Sequence, residues 1–168
     1  MKKNSHQRNL FGDARQLSLF HDQAAARPAN LWSEADVIAT YSRLQAIEDG
    51  VLVQLSGPGY QGDAWVPEMV AECGYKIPLA ITAAAFGRYV ELTPAAERAC
   101  NDIKGRLWDV LYMLRLAIGR SRPGQDTVWF EFYCVVDRVK PQCSRLKAVC
   151  GPGDDGEPVM TIMLPNED

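Results

Sequence analysis

Hydrophobic residues recur at the spacing of an α-helix through the first two-thirds of the chain. After Ser33, which has the character of a helix N-cap, one apolar face continues to a stop signal at Gly50. The apolar positions of this helix are Val37, Ile38, Tyr41, Leu44 and Ile47. A short β-branched run then predicts a strand over 51–55.

Three further helices are predicted over 65–73, 79–90 and 106–118, and a fresh helix start is predicted at Thr93. The segment 79–90 is rich in alanine, which favours a helix that packs closely on a neighbour. The clearest amphipathic stripe is in the last helix and consists of Leu107, Val110, Leu111, Leu114 and Ile118. Gly105 predicts a break before this helix, and Gly119 predicts its end.

The C-terminal third changes from the helical period to strict alternation. Over 127–136 the even positions are apolar, whereas Trp129, Glu131 and Tyr133 lie on the other face. Two more strands are predicted over 146–150 and 159–164, with a turn between them. Helices followed by strands predict an α+β fold, with helices in the N-terminal two-thirds packed on a C-terminal antiparallel sheet of three or four strands.

The length of 168 residues and the hydrophobic fraction of 47% suit one domain with a tail. Residues 1–30 are polar, so we expect a flexible tail there and a single α+β domain over 31–168. The net charge of −3 gives the whole chain no pull toward DNA or anionic membranes. No apolar run is long enough to span a bilayer, and no signal-peptide core follows Met1, so we expect a cytoplasmic protein.

The cysteine and histidine content limits the kinds of catalytic and metal site that the predicted domain can form. The five cysteines are odd in number and form no Cys-x-x-Cys pair, which indicates reduced thiols. The two histidines, His6 and His21, both lie in the predicted tail. The predicted domain therefore has no histidine for a Ser-His-Asp triad, a Cys-His pair or a zinc site. We predict no cofactor and no metal.

The pentapeptide Gln16-Leu17-Ser18-Leu19-Phe20 is the strongest functional signal. It resembles the motif by which bacterial proteins dock on the sliding clamp of the replicative DNA polymerase. That motif has Gln, an aliphatic residue, a small or acidic residue, Leu and Phe. Leu19 and Phe20 supply apolar anchors, and Gln16 supplies hydrogen bonds at the rim of a pocket.

A looser copy of this motif lies upstream. It keeps Gln7, Leu10 and Phe11 but has Arg8 where an aliphatic residue is usual. Two copies near each other either compete for one pocket or raise the effective concentration of docking peptide near it. The alternative is that the apolar residues of both copies fold back on the domain as an N-terminal arm.

The domain itself is similar to small uncharacterised proteins carried by bacterial plasmids and other mobile elements, a family whose domain has no known function. The resembling stretches are 41–53, 74–82, 105–111 and 150–165. This resemblance implies a bacterial cytoplasm and a mobile-element origin, and it implies no activity. The tail motifs lie outside the resembling stretches.

Two groups of polar residues are candidates for a domain site. Glu48 and Asp49 are adjacent carboxylates at a predicted helix end, where the helix dipole disfavours them unless a cation is near; the alternative is a solvated turn. The second group lies on the helix 106–118 and consists of Arg106, Trp108, Asp109, Tyr112 and Arg115. It suits base stacking or phosphate binding, and the alternative is a core tryptophan with an ordinary ion pair.

Two further charged clusters favour less specific interpretations. The acidic run from Asp154 to Glu157 lacks the spacing of a calcium loop and suits a hairpin turn. A basic set surrounds the first predicted strand pair, and it either faces nucleic acid or is a solvated surface. Its members are Arg120, Arg122, Arg138, Lys140, Arg145 and Lys147.

These patterns favour a non-enzymatic interaction protein that docks on the bacterial sliding clamp and acts in or against host replication, repair or defence. DNA would then be contacted only indirectly, through the clamp. One alternative is a carboxylate-based enzyme that acts on nucleic acid or nucleotide. Another is a nucleic-acid-binding module. The sequence leaves the oligomeric state open.

Overall fold

The computed structural model describes residues 41–167, and the predicted helix start at Ser33 and both tail motifs lie outside this range. The described residues have an α+β fold, as the sequence predicted. The helices are α1 (Arg43–Glu48), α2 (Trp65–Glu72), α3 (Ala83–Tyr89), α4 (Pro94–Arg98) and α5 (Ile103–Arg120). The strands are β1 (Leu52–Gln54), β2 (Leu79–Thr82), β3 (Thr127–Cys134), β4 (Gln142–Pro152) and β5 (Pro158–Met163).

The sheet has five strands in the order β1-β2-β5-β4-β3. Strands β2 and β5 are parallel, whereas the other neighbours are antiparallel. The prediction of a purely antiparallel sheet of three or four strands was therefore wrong in both strand number and strand direction. The parallel pair arises because the chain leaves β2, passes through three helices and two strands, and returns beside β2 in the same direction.

Strand β2 is the element that the sequence assigned to a helix. Leu79, Ala80 and Ile81 are each 0% exposed, because β2 lies inside the sheet and is covered on both faces. A strand buried on both sides has no polar alternation to reveal it. The hydroxyl of Thr82 then accepts a hydrogen bond from Ala85 N and begins α3.

The apolar stripe of α5 packs on the sheet and forms the main core. Leu107, Val110, Leu111 and Leu114 are buried there, as the helical spacing predicted. They share one cluster with side chains of β3, β4, β5 and β2, the largest of which are Phe130, Phe132, Leu146, Ile162 and Ile81. Each such side chain contributes about 1.5–3 kcal/mol through burial, so this cluster fixes α5 against the sheet.

Both glycines that were expected to bound α5 lie inside it. The helix begins at Ile103, because the Asp102 carboxylate accepts a hydrogen bond from Gly105 N and caps the first turn. It continues past Gly119 and ends at Arg120. The predicted break at Gly105 and the predicted end at Gly119 were therefore wrong.

Helix α1 is held by the acidic turn between β4 and β5. The two carboxylate oxygens of Asp154 accept hydrogen bonds from the backbone N–H groups of Arg43 and Leu44. The Arg43 guanidinium donates to Thr161 Oγ1 at 2.8 Å. The acidic turn thus has a structural role, and residues 41–167 contain no group of three or more His, Cys, Asp or Glu side chains placed to hold a metal. In the same range, no helix has the length and apolar character needed to cross a bilayer.

Candidate functional site

Helix α5 carries the second predicted group of site residues and divides it between two sides. Arg106 and Asp109 line a cavity of about 190 Å³ between α5 and the end of β3. Trp108, Tyr112 and Arg115 follow at the spacing of another side of the helix. The structure therefore does not bring all five residues into one site.

Arg106 is buried and bound by backbone carbonyl groups. Its side chain is 5% exposed; Nε donates to Val90 O at 3.1 Å, and Nη1 donates to Val135 O at 2.7 Å. A longer contact joins Nη2 to Arg88 O at 3.4 Å. These bonds connect the end of α3 and the end of β3 to α5, and they satisfy a charge that would be costly to bury alone. Arg106 is thus a structural residue with little capacity left for a ligand.

Burial shifts the pKa of two further groups in this cavity upward. Partial burial raises the pKa of the Asp109 carboxyl, and the nearby Arg106 acts in the opposite direction. Burial also raises the pKa of the Cys134 thiol, although Ser144, Arg106 and Arg88 each lower it. A protonated thiol is a poor nucleophile, and the Cys134 thiol donates to Ser144 Oγ at 3.2 Å. The cavity has polar walls without an activated nucleophile.

Helix α5 also carries an aromatic pair. The rings of Trp108 and Tyr112 are stacked, with centroids 6.0 Å apart and an interplanar angle of 10°. Trp108 packs on the core, whereas Tyr112 is 47% exposed. The Arg115 guanidinium passes close to Gly74. Because Tyr112 covers one face of Trp108, only Tyr112 offers an open ring, and base stacking on this pair stays a prediction.

Glu48 and Asp49 lie in a different part of the domain. Both side chains are exposed, and the Asp49 carboxylate accepts a hydrogen bond from Tyr41 Oη at 3.0 Å. Glu48 lines a cavity of about 630 Å³ beside β1. The walls of this cavity are mainly apolar and include Trp65 and Phe86. The carboxylates that the enzyme hypothesis required together are therefore dispersed over two cavities.

The exposed aromatic face of β3 was not among the predicted site residues, although the basic set around the first strand pair was predicted to be either a nucleic-acid surface or a solvated one. Trp129 and Tyr133 project from β3 and are 44% and 71% exposed. The Arg145 guanidinium lies 4.5 Å from the centroid of the Trp129 ring, a cation–π contact. The alternation of β3 already placed both aromatic side chains opposite the core. The missing information was that no described strand would pair beyond β3.

A third cavity adjoins this surface. Its volume is about 480 Å³, and it lies where the last turns of α5 pass the edge of β3. Two basic side chains, Arg120 and Arg145, and one acidic side chain, Glu131, line it. We call the cavity the β3 groove. Its lining is Met113, Leu116, Ala117, Arg120, Ser121, Gln125, the β3 residues 127–131 and Arg145.

The predicted partner-binding residues of the tail lie outside the described residues. They are Gln7, Leu10, Phe11, Gln16, Leu17, Ser18, Leu19 and Phe20. Their role as a docking peptide therefore stays a prediction.

The chain belongs to a family of unknown function (DUF6573), whose model matches residues 29–168. No curated protein and no solved structure matches the chain. Both tail motifs precede the first matched residue. The matched region thus contains the whole described domain but neither copy of the motif.

Proposed function

We propose that this chain is a non-enzymatic interaction protein that docks on the bacterial sliding clamp through Gln16–Phe20. The observation that carries the proposal is the pentapeptide itself, which has each residue type of the docking motif in order. Because the motif precedes the family-matched residues 29–168, docking and the work of the domain are separable along the chain. A mobile-element origin and a cytoplasmic location complete this proposal.

Two features of the described domain support a role without catalysis. The carboxylates of Glu48 and Asp49 are exposed at α1, away from the cavity that holds Arg106 and Asp109. The thiol in that cavity has a raised pKa. An enzyme needs a base, a nucleophile or a charge-stabilising group converging on one point. Among the predicted site residues, Glu48 and Asp49 lie apart from Asp109, and the Arg106 guanidinium is bonded to backbone carbonyls.

The affinity for the clamp should be modest. A short docking peptide loses conformational freedom when it binds, and two apolar anchors supply most of the gain. We expect a Kd near 1 μM, which corresponds to about −8 kcal/mol. Such a contact forms and breaks readily, which suits a protein that visits the replication machinery.

The test is binding of the intact chain to a purified bacterial sliding clamp, measured by calorimetry. The double variant Leu19→Ala/Phe20→Ala should weaken binding at least about 100-fold, because it removes both anchors. The matched control is Leu10→Ala/Phe11→Ala in the looser copy, which should change the Kd by less than about threefold because Arg8 occupies the aliphatic position. If the intact wild-type chain shows no binding, the proposal is wrong.

A further inference from the structure

We propose that the edge of β3 accepts an extended acidic segment of a partner protein as an added strand, with apolar side chains of that segment in the β3 groove. This inference concerns the domain alone and does not depend on clamp docking. It rests on the backbone groups of β3, on the shape of the β3 groove and on the charge around it.

The hydrogen-bonding pattern between β3 and β4 shows which backbone groups of β3 face away from β4. Cys150 N donates to Asp126 O at 2.7 Å, and these two residues continue the β3–β4 register as direct partners. Antiparallel neighbours alternate between bonded and non-bonded pairs. The even-numbered residues of β3 therefore bond to β4. The residues whose N–H and C=O groups face the open edge are Thr127, Trp129, Glu131 and Tyr133.

The β3 groove provides space for the side chains of an added strand. Neighbouring strands lie about 4.8 Å apart, and successive side chains point to opposite faces. On the core side, an added strand would place every second side chain against Met113, Leu116 and Ala117 of α5. On the other side, the remaining side chains would meet Trp129 and Arg145. Backbone bonding with pockets for alternate side chains is the usual mode of strand addition.

The charge of the β3 groove indicates which class of partner it would bind. Arg120 and Arg145 line the β3 groove with a single carboxylate, Glu131, so its lining has a net positive charge. A second copy of this chain would bring the same basic residues to the interface, and like charges repel. A segment with a carboxylate opposite Trp129 can reach Arg145, and apolar residues opposite Val128 and Phe130 can fill the groove. The favoured partner is therefore an extended acidic segment with alternating apolar residues.

Two observations favour a peptide over single-stranded nucleic acid at this edge. The edge C=O groups of β3 need hydrogen-bond donors, which a peptide backbone supplies and a phosphate backbone lacks. One face of the Trp129 ring is already occupied by the Arg145 guanidinium. A base that stacked on that face would have to displace an existing cation–π contact.

The test uses the intact ¹⁵N-labelled protein and amide hydrogen exchange. The probe is acetyl-Val-Thr-Val-Asp-Leu-Asp-amide, which in antiparallel register places Asp opposite Trp129 and Leu opposite Val128. We expect a Kd below about 1 mM and at least tenfold slower exchange of the amides of Trp129, Glu131 and Tyr133. The same peptide with Lys in place of both Asp residues should bind at least tenfold more weakly.

Variants separate backbone pairing from charge. Glu131→Pro removes an edge N–H without removing a bond to β4, so it should abolish peptide binding while the protein stays folded by circular dichroism. Glu131→Gln is the matched control and should retain binding, because it keeps the N–H. Leu116→Asp places a carboxylate in the β3 groove and should weaken binding at least tenfold, which provides a second test if the proline variant fails to fold.

Three outcomes would overturn the inference. The first is saturation with peptide that leaves the exchange of the odd-numbered β3 amides unchanged, or no binding at millimolar peptide. The second is protection of those amides by octathymidylate instead of the peptide. The third is protection that rises with protein concentration alone, which would identify a second copy as the occupant. The variant Leu19→Ala/Phe20→Ala should leave peptide binding unchanged, so failure of clamp docking and failure of this inference are distinguishable.

Discussion

The two edges of the sheet are built differently. The β1 edge is three residues long, and the chain beyond it turns back at once, with Gln54 Nε2 donating to Pro58 O at 2.9 Å. The β3 edge is eight residues long and carries no proline or lysine. Natural proteins shorten or cover sheet edges because unpaired backbone groups attract other strands. Among residues 41–167 the structure limits one edge and leaves the other long, which is the arrangement that the proposed strand addition requires.

The largest expected effect distinguishes the β3 residues whose N–H groups bond to β4 from those whose N–H groups face the open edge. Phe130→Pro removes a ladder N–H and a buried ring, so it should destabilise the protein by about 4 kcal/mol or more. Glu131→Pro at the next position should cost less than about 1 kcal/mol, because its N–H faces the open edge. Urea unfolding followed by circular dichroism measures both. Equal losses would show that the inferred phase, and with it the open edge, is wrong.

Much of this architecture follows from sequence alone, but the open edge does not. The stripe of α5 and the alternation of β3 are local patterns, and both were predicted. Strand β2 was missed because Leu79 to Ile81 lack alternation and precede three alanines that favour a helix. Which strand lies at an edge depends on the parallel pairing of β2 with β5, a contact between residues about 80 positions apart.

A pair of glycines sharpens the comparison of the two edges. Gly57, in the turn after β1, has φ of +117°, and an added Cβ would lie 2.8 Å from Pro78 Cβ. Gly124, in the turn before β3, has φ of +84° but no atom within 4 Å of an added Cβ. Gly57→Ala should therefore cost about 3 kcal/mol, and Gly124→Ala about 1 kcal/mol.

Thermal unfolding of the two glycine variants provides the measurement. Comparing the two variants separates the effect of a steric contact at the added Cβ from the effect of backbone strain. Both residues have positive φ, and only Gly57 is crowded. A larger loss for Gly124→Ala would mean that the turn before β3 is the more constrained one. The view that the β1 side is the tightly closed side would then fail.

The candidate site was only partly predictable for a related reason. An ion pair between Arg106 and Asp109 was one interpretation of the sequence, because these residues lie three positions apart on one helix. The structure directs Arg106 toward the carbonyls of Val90 and Val135, which come from the ends of α3 and β3. A charged pair within a helix is a local inference, whereas backbone carbonyls delivered by distant elements have no signature in the sequence.

The smallest expected effect is the pH dependence contributed by Asp109 of α5, which lines the cavity near the end of β3. Because partial burial raises its pKa above the ordinary value of 3.8, the folded protein holds this proton more tightly than the unfolded chain. The contribution of Asp109 is therefore most favourable below pH 3.8 and is lost as the pH rises through the raised value. Asp109→Asn should be slightly more stable than wild type near pH 7, and this difference should disappear in acid. Urea unfolding at several pH values measures it, and a variant less stable than wild type at neutral pH would show that attraction to Arg106 outweighs burial.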